Sequence, residues 1–241
     1  MEKQRHNAFT LLELLVVLAI LALLVGVLLP ALRQAREAGR SIVCRSLMKN
    51  YTFALYGYFT ETRDLLPISV QDPIMRPWFT LDDFRSRIGL PSLTEEYKIR
   101  RFPQNIQEYK PSYEKKYICP SASFALKNPE EGLYAMDRSY GLNAHVYYFQ
   151  DSIRERLLSQ SGRILCMADA LDWWFNWWGC DKYTETGEEW LGFETYGTAA
   201  FRHSRQRANV SFWDGHCAAM TVEELKQNLD EWMRLAERQS R

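Results

Sequence analysis

The chain has 241 residues, 30 basic against 30 acidic side chains and 46% hydrophobic residues, which suits one medium-sized domain plus an additional segment. Zero net charge argues against a dedicated nucleic-acid binder, which carries a basic excess or stripe. With 12 glycines and 9 prolines, collagen-like and low-complexity chains are excluded as well.

The apolar residues are concentrated at the amino end. No charge interrupts the 19 positions from Leu14 to Leu32, a run of Leu, Val, Ala and Ile broken only by Gly26 and Pro30. A helix of that length, at ~1.5 Å per residue, nearly crosses the ~30 Å hydrocarbon core of a bilayer. A cleaved secretory signal has a shorter apolar region and a small-residue cleavage site after it, and Pro30-Ala31-Leu32-Arg33 offers none. The run therefore reads as an anchor. Glu13 lies at its edge, where a carboxylate at bilayer depth costs roughly 2.5–3.5 kcal/mol, so it has either a functional partner or a place at the headgroup level. A polar leader, Met1 to Ala8, precedes it. Cleavage after Ala8 would leave an ammonium on Phe9, able to neutralise the Glu13 of a neighbouring helix upon assembly.

Ala8-Phe9-Thr10-Leu11-Leu12-Glu13 followed by an apolar helix resembles the class III signal of type IV pilins and pseudopilins. The resemblance implies that a membrane-embedded aspartyl peptidase removes the leader on the cytoplasmic side and methylates Phe9, and that Glu13 guides subunit assembly. Pro30 falls where that family has a proline that bends the helix. Ala8 stands where the family usually has glycine. Charge counting points the other way on orientation: Lys3 and Arg5 precede the span, whereas Arg33, Arg36, Arg40, Arg45 and Lys49 follow it. The leader motif is the more specific signal and places the domain outside the cytoplasm.

Beyond Pro30, Val43, Leu47, Tyr51, Leu55 and Tyr58 recur every three or four residues. The spacing predicts one helix from about Phe9 to Tyr58, with its second half lying on a domain core. Residues 67–111 hold six of the nine prolines and read as loop, with a short helix at Leu81–Ile88. Strands are expected at Tyr117–Cys119, Arg163–Met167 and Asn209–Trp213. Asp214-Gly215 predicts a type I′ hairpin turn into His216–Met220. Thr221-Val222-Glu223-Glu224 fits a capping box opening an amphipathic helix with Leu225, Leu229, Trp232 and Ala236 on one side. The expected fold is α+β: a long N-terminal transmembrane helix packed on an antiparallel sheet domain, with an amphipathic C-terminal helix. The parts are leader 1–8, membrane half-helix 9–32, extramembrane half-helix 33–60 and pilin-like domain 61–241.

The carboxyl-terminal end has a resemblance of its own. Arg202-His203-Ser204, Ala208-Asn209-Val210 and Trp213-Asp214-Gly215-His216 are similar to the H-x9-DG element of prepilin-processing-associated proteins, with one extra residue between His203 and Asp214. Ala38–Cys44, Cys119-Pro120-Ser121 and Ser139–Asn143 also resemble recurrent elements of that group. His203, Asp214 and Gly215 are then expected to be a structural hairpin motif.

Other constellations carry weaker signals. His203, Asp214 and His216, with Asp169, are candidate metal ligands by donor type, but no H-x3-H or HExxH spacing joins them. No metal and no other cofactor is expected. Trp173, Trp174, Trp177 and Trp178 fall within six residues. They form either a glycan- or partner-binding surface or a cover for the sheet. The five cysteines lack CxxC spacing. Outside the cytoplasm disulfides form, and the expected bridge is Cys44–Cys119, from the helix to the first strand; pairing among Cys166, Cys180 and Cys217 stays open. GxSxG, P-loop and GxGxxG motifs are absent.

The sequence thus reads as a non-enzymatic pilin-like or pseudopilin subunit. Its localisation would be the inner membrane, single-pass, with a periplasmic or extracellular domain. Its partners would be the prepilin peptidase/methyltransferase, other pilin-like subunits and the membrane, with no nucleic acid. The rivals are a tethered binding module using the tryptophan cluster and a tethered hydrolase using Asp169, His203 and Asp214.

Overall fold

The computed structural model describes residues 10–62, 78–90, 92, 115–127, 136, 138–145, 159–189 and 191–237. The leader 1–8, the Ala8/Phe9 junction and most of the proline-rich stretch lie outside the described residues.

Helix α1 runs without interruption from Leu11 to Thr62, 52 residues including Pro30, a length of ~78 Å. Among the described residues it is the one helix long and apolar enough to cross a membrane, and none of the other described residues covers its apolar window. An apolar surface of this size requires lipid or neighbouring helices.

From Cys44 onward the helix enters the domain core. Its buried face is Cys44, Met48, Tyr51, Leu55 and Phe59, whereas Val43 is 51% exposed and Leu47 and Tyr58 are only half-buried. Tyr51 and Leu55 of the expected stripe are buried, whereas Val43, Leu47 and Tyr58 give way to the next residue in each case, Cys44, Met48 and Phe59. The spacing was right, but Val43 and Cys44 are adjacent apolar residues, and the sheet takes the sulfur.

Five strands follow: β1 (Tyr140–Asn143), β2 (Leu165–Asp169), β3 (Trp174–Phe175), β4 (Ala208–Phe212) and β5 (Cys217–Met220), in the order β3-β1-β2-β4-β5. All pairs are antiparallel except β1–β3, which is parallel, so the sheet is mixed rather than wholly antiparallel. The two-residue β3 reaches the edge only as the chain passes after β2. Tyr117–Cys119 is not a strand. A 3₁₀ turn spans Lys115–Tyr117, Tyr117 is held by the Tyr51 hydroxyl donating to its carbonyl at 2.7 Å, and Cys119 precedes Pro120, which supplies no ladder N–H.

Both faces of the sheet are covered. On one side α1 and helix α2 (Asp82–Arg87) pack with Trp78, Phe79 and Phe84 against Tyr140, Leu142 and Met167. On the other, Leu225 and Leu229 of the C-terminal helix (Val222–Glu237) close over Leu165, Ala168, Ala208, Val210 and Phe212. The capping box that opens this helix is formed: Thr221 N–H donates to Glu224 Oε2 at 2.8 Å, and Glu224 N–H to Thr221 Oγ1 at 3.3 Å. The side chains of Trp232 and Ala236 lie outside the described set.

Period-2 alternation sorts the strand residues. In β4, Ala208, Val210 and Phe212 face the C-terminal helix. Asn209 and Ser211 face α1, bonded to Ser41 and Thr52 at 3.1 and 2.6 Å. In β2 a register shift between Leu165 and Met167 puts Cys166 and Met167 together on the α1 side. Asp169, two residues on from Met167, faces α1 as well.

Candidate functional site

Two places combine chemistry-bearing residues. The first is the start of α1. Thr10 N–H and Thr10 Oγ each lie 2.9 Å from Glu13 Oε2, and Glu13 N–H donates to Thr10 Oγ1 at 3.2 Å. This is a capping box, legible in Thr10-x-x-Glu13 but not anticipated above. The carboxylate that lipid would penalise is thus satisfied within its own helix turn.

The second place is the buried junction between α1 and the sheet. Cys44 projects from α1 with Glu37 two turns earlier on the same face. Cys119 sits in the turn closed by Ala122 N–H donating to its carbonyl at 2.9 Å. Asp169 ends β2, completely buried, and Oδ2 accepts the Asn209 N–H at 2.7 Å. His203 opens a tight loop before β4, bridged to Arg207, in which Arg205 and Gln206 adopt positive φ. These four places in the chain bring one donor atom each from Cys44, Cys119, Asp169 and His203 within 4.8 Å of one another, all buried. The Cys44 thiol donates to Asp169 Oδ1 at 3.0 Å. His203 Nε2 lies 3.1 Å from Asp169 Oδ2 and 3.7 Å from Cys119 Sγ. His203 Nδ1 lies 2.9 Å from Glu37 Oε1, which also accepts the Ser121 hydroxyl at 2.9 Å.

The electrostatics follow from this packing. Burial disfavours a charged imidazole, but the hydrogen bonds to Asp169 and Cys119 outweigh it and raise the His203 pKa to about 10. Burial also works to raise the Cys119 thiol, yet hydrogen bonds with Cys44 and His203 bring it below its ordinary value. Cys44 moves the opposite way, raised by burial and by its bond to Cys119. Tyr140 pairs with Asp169 across β1 and β2. Its buried hydroxyl has no hydrogen-bond partner among the described residues.

Several expectations change here. Cys44 and Cys119 do meet, but as free thiols with no S–S bond; the remaining three cysteines are free too. An acid and an imidazole share their pocket. The His203 imidazole bonds the carboxylates of Glu37 and Asp169, outside the hairpin motif in which it is expected. It also parts company with Asp214 and His216, which pair with each other at 2.6 Å on the surface. Asp169 is the member of the proposed ligand set that stays with His203.

The Asp214-Gly215 hairpin forms, though not with a type I′ turn. Phe212 and His216 close a three-residue loop, Gly215 N–H donates to Phe212 O at 2.8 Å, and positive φ is confined to Gly215, at 86°. That is the pattern of a type I turn followed by a left-handed glycine. Asp214 instead accepts the His216 N–H at 3.0 Å.

The tryptophans divide between the two cores. Trp173 packs on the α1 side and stacks on Trp174 at 5.7 Å, while Trp177 packs on the opposite side beneath Lys226. Trp178 is 59% exposed and leans on His145. It is the most exposed indole of the four.

Residues 3–29 match the prokaryotic N-terminal methylation motif. No curated protein and no solved structure matches the chain. The motif implies processing by a prepilin peptidase and association with the membrane. The chain therefore carries a type IV pilin-like methylation signal on a long apolar helix at its amino end, joined to an α+β domain.

Proposed function

We propose that this protein is a type IV pilin-like or pseudopilin subunit, a structural component rather than a catalyst. In this reading it is made as a prepilin, cut between Ala8 and Phe9, methylated on Phe9 and held in the inner membrane with residues 61–241 on the periplasmic or extracellular side. It would assemble with other pilin-like subunits, in a pilus or a type II secretion-like system, by packing α1 against neighbouring helices. The observation that carries the reading is the methylation motif over residues 3–29, set on a helix whose apolar half its own domain leaves uncovered. The likeness of the His203–His216 region to the H-x9-DG element is consistent with a prepilin-associated protein.

In this reading Glu13 exchanges its Thr10 partners for the Phe9 ammonium of a neighbour. The Glu13→Ala chain is expected to insert and be cleaved normally but to be largely lost from in-membrane cross-linked assemblies. Wild-type levels of cross-linked product from Glu13→Ala would contradict assembly through this contact.

A further inference from the structure

We propose that Cys44, Cys119, Asp169 and His203 form a structural zinc site that locks α1 to the sheet. The donor set is two thiols, one imidazole and one carboxylate, all buried and within 4.8 Å of one another. Soft sulfur with imidazole in a four-donor set suits zinc. Zn–S bonds of ~2.3 Å and Zn–N or Zn–O bonds of ~2.0–2.2 Å give tetrahedral edges of roughly 3.3–3.8 Å. The separations of 3.0 Å from Cys44 to Asp169 Oδ1, 3.1 Å from His203 to Asp169 Oδ2 and 3.7 Å from His203 to Cys119 lie near those edges, and the wider ones, within 4.8 Å, must close by up to about an ångström to accept the ion.

The orientation of His203 is the most specific support. Its Nδ1 faces Glu37 Oε1 at 2.9 Å, so an imidazole protonated there turns the Nε2 lone pair toward Asp169 and Cys119. Without an ion, a second proton on Nε2 bridges the 3.1 Å to Asp169 Oδ2; zinc would take that proton's place. The carboxylate–histidine–metal arrangement, in which an acid on the far side of the ring fixes the tautomer of a ligating imidazole, has this geometry. Ser121 in turn holds Glu37. A Cys44–Cys119 disulfide would use both sulfurs and leave Asp169 and His203 buried beside a neutral bridge.

Four protein donors with no solvent-facing position describe a closed, structural site rather than a catalytic one. The ion would join α1, the Cys119 turn, β2 and the His203 loop, the elements through which tension on the anchor helix passes into the domain. Spacing rules miss the site because they look for ligands on one short loop. Here the four are separated by 75, 50 and 34 positions along the chain.

The test uses the full chain, extracted from membranes in detergent without chelator. Elemental analysis should find about one zinc per chain, with Cys44 and Cys119 resistant to alkylation until a chelator is added. Replacing the zinc with Co2+ should give intense thiolate-to-cobalt charge-transfer absorption, a reading on the unaltered chain that does not depend on any variant folding. Cys44→Ser and His203→Asn should each lose most of the metal, while Cys217→Ser keeps it. A Cys44–Cys119 disulfide in the peptide map without bound metal would overturn the proposal. So would free thiols that take up no added Zn2+, or zinc retained in full by Cys44→Ser and His203→Asn.

Discussion

Gly215 shows how a single position serves both the hairpin and the packing of α1. Its φ of 86° belongs to the left-handed region, and a β-carbon there would come within 2.7 Å of the Phe53 ring on α1. Phe53 is half exposed and has room to swing aside, so the backbone term dominates. Gly215→Ala should cost about 1–2 kcal/mol, read as a lowered midpoint in chemical unfolding. An unchanged midpoint would mean that the loop relaxes to another turn. At the same scale, Glu13 and Thr10 were readable in the sequence as an acid in an apolar run, but their mutual capping was not anticipated. The T-x-x-E pattern carries that capping signal, while the apolar run beside it points equally to a neighbour's ammonium as the partner of Glu13.

Among the elements, α1 tests how far periodicity reaches. Its existence, length and passage through Pro30 were legible because long apolar runs without glycine pairs or turn residues leave few alternatives. The edge of its buried face was legible only at Tyr51 and Leu55, since neighbouring Val43 and Cys44 satisfy the same period. The structure buries Leu55 completely and leaves Val43 half exposed. Leu55→Ala should therefore destabilise the domain by about 2–5 kcal/mol, and Val43→Ala by no more than about 0.5 kcal/mol. Thermal melts of the two variants check the register, and equal losses would refute it. The C-terminal helix was legible to its capping box because that signal is local. The parallel β1–β3 pair was not, because a two-residue strand has no period of its own. The buried cluster was half legible: the Cys44–Cys119 proximity and the Asp169–His203 association were each visible, but only the β2 register shift and the His203 loop bring the two pairs to one point.

Across the whole molecule, two buried groups give opposing pH dependences. Burial pushes the His145 pKa down from 6.5 to about 4, and its Nε2 accepts the Trp177 N–H at 3.2 Å. Between pH 6.5 and 4 the unfolded chain takes up a proton that the folded chain refuses, so this group's stability is lost as the pH falls. Burial raises Asp172 from 3.8 to about 6, against the pull of the Gly197 N–H and the Arg138 charge. Between pH 6 and 3.8 the folded chain takes up the proton first, so this group's contribution rises as the pH falls. Each is worth about 3 kcal/mol at most. His145→Gln should gain stability relative to the wild type on going from pH 6.5 to 4, and Asp172→Asn should lose it. Parallel melting curves against pH for all three proteins would contradict both assignments. The central claim concerns the other end of the chain, where the methylation motif meets the uncovered helix. Mass spectrometry of the intact chain and its amino-terminal peptide, from its native membrane, tests that claim most directly. The account predicts a chain beginning at Phe9 with one added methyl group; a chain beginning at Met1 would contradict it.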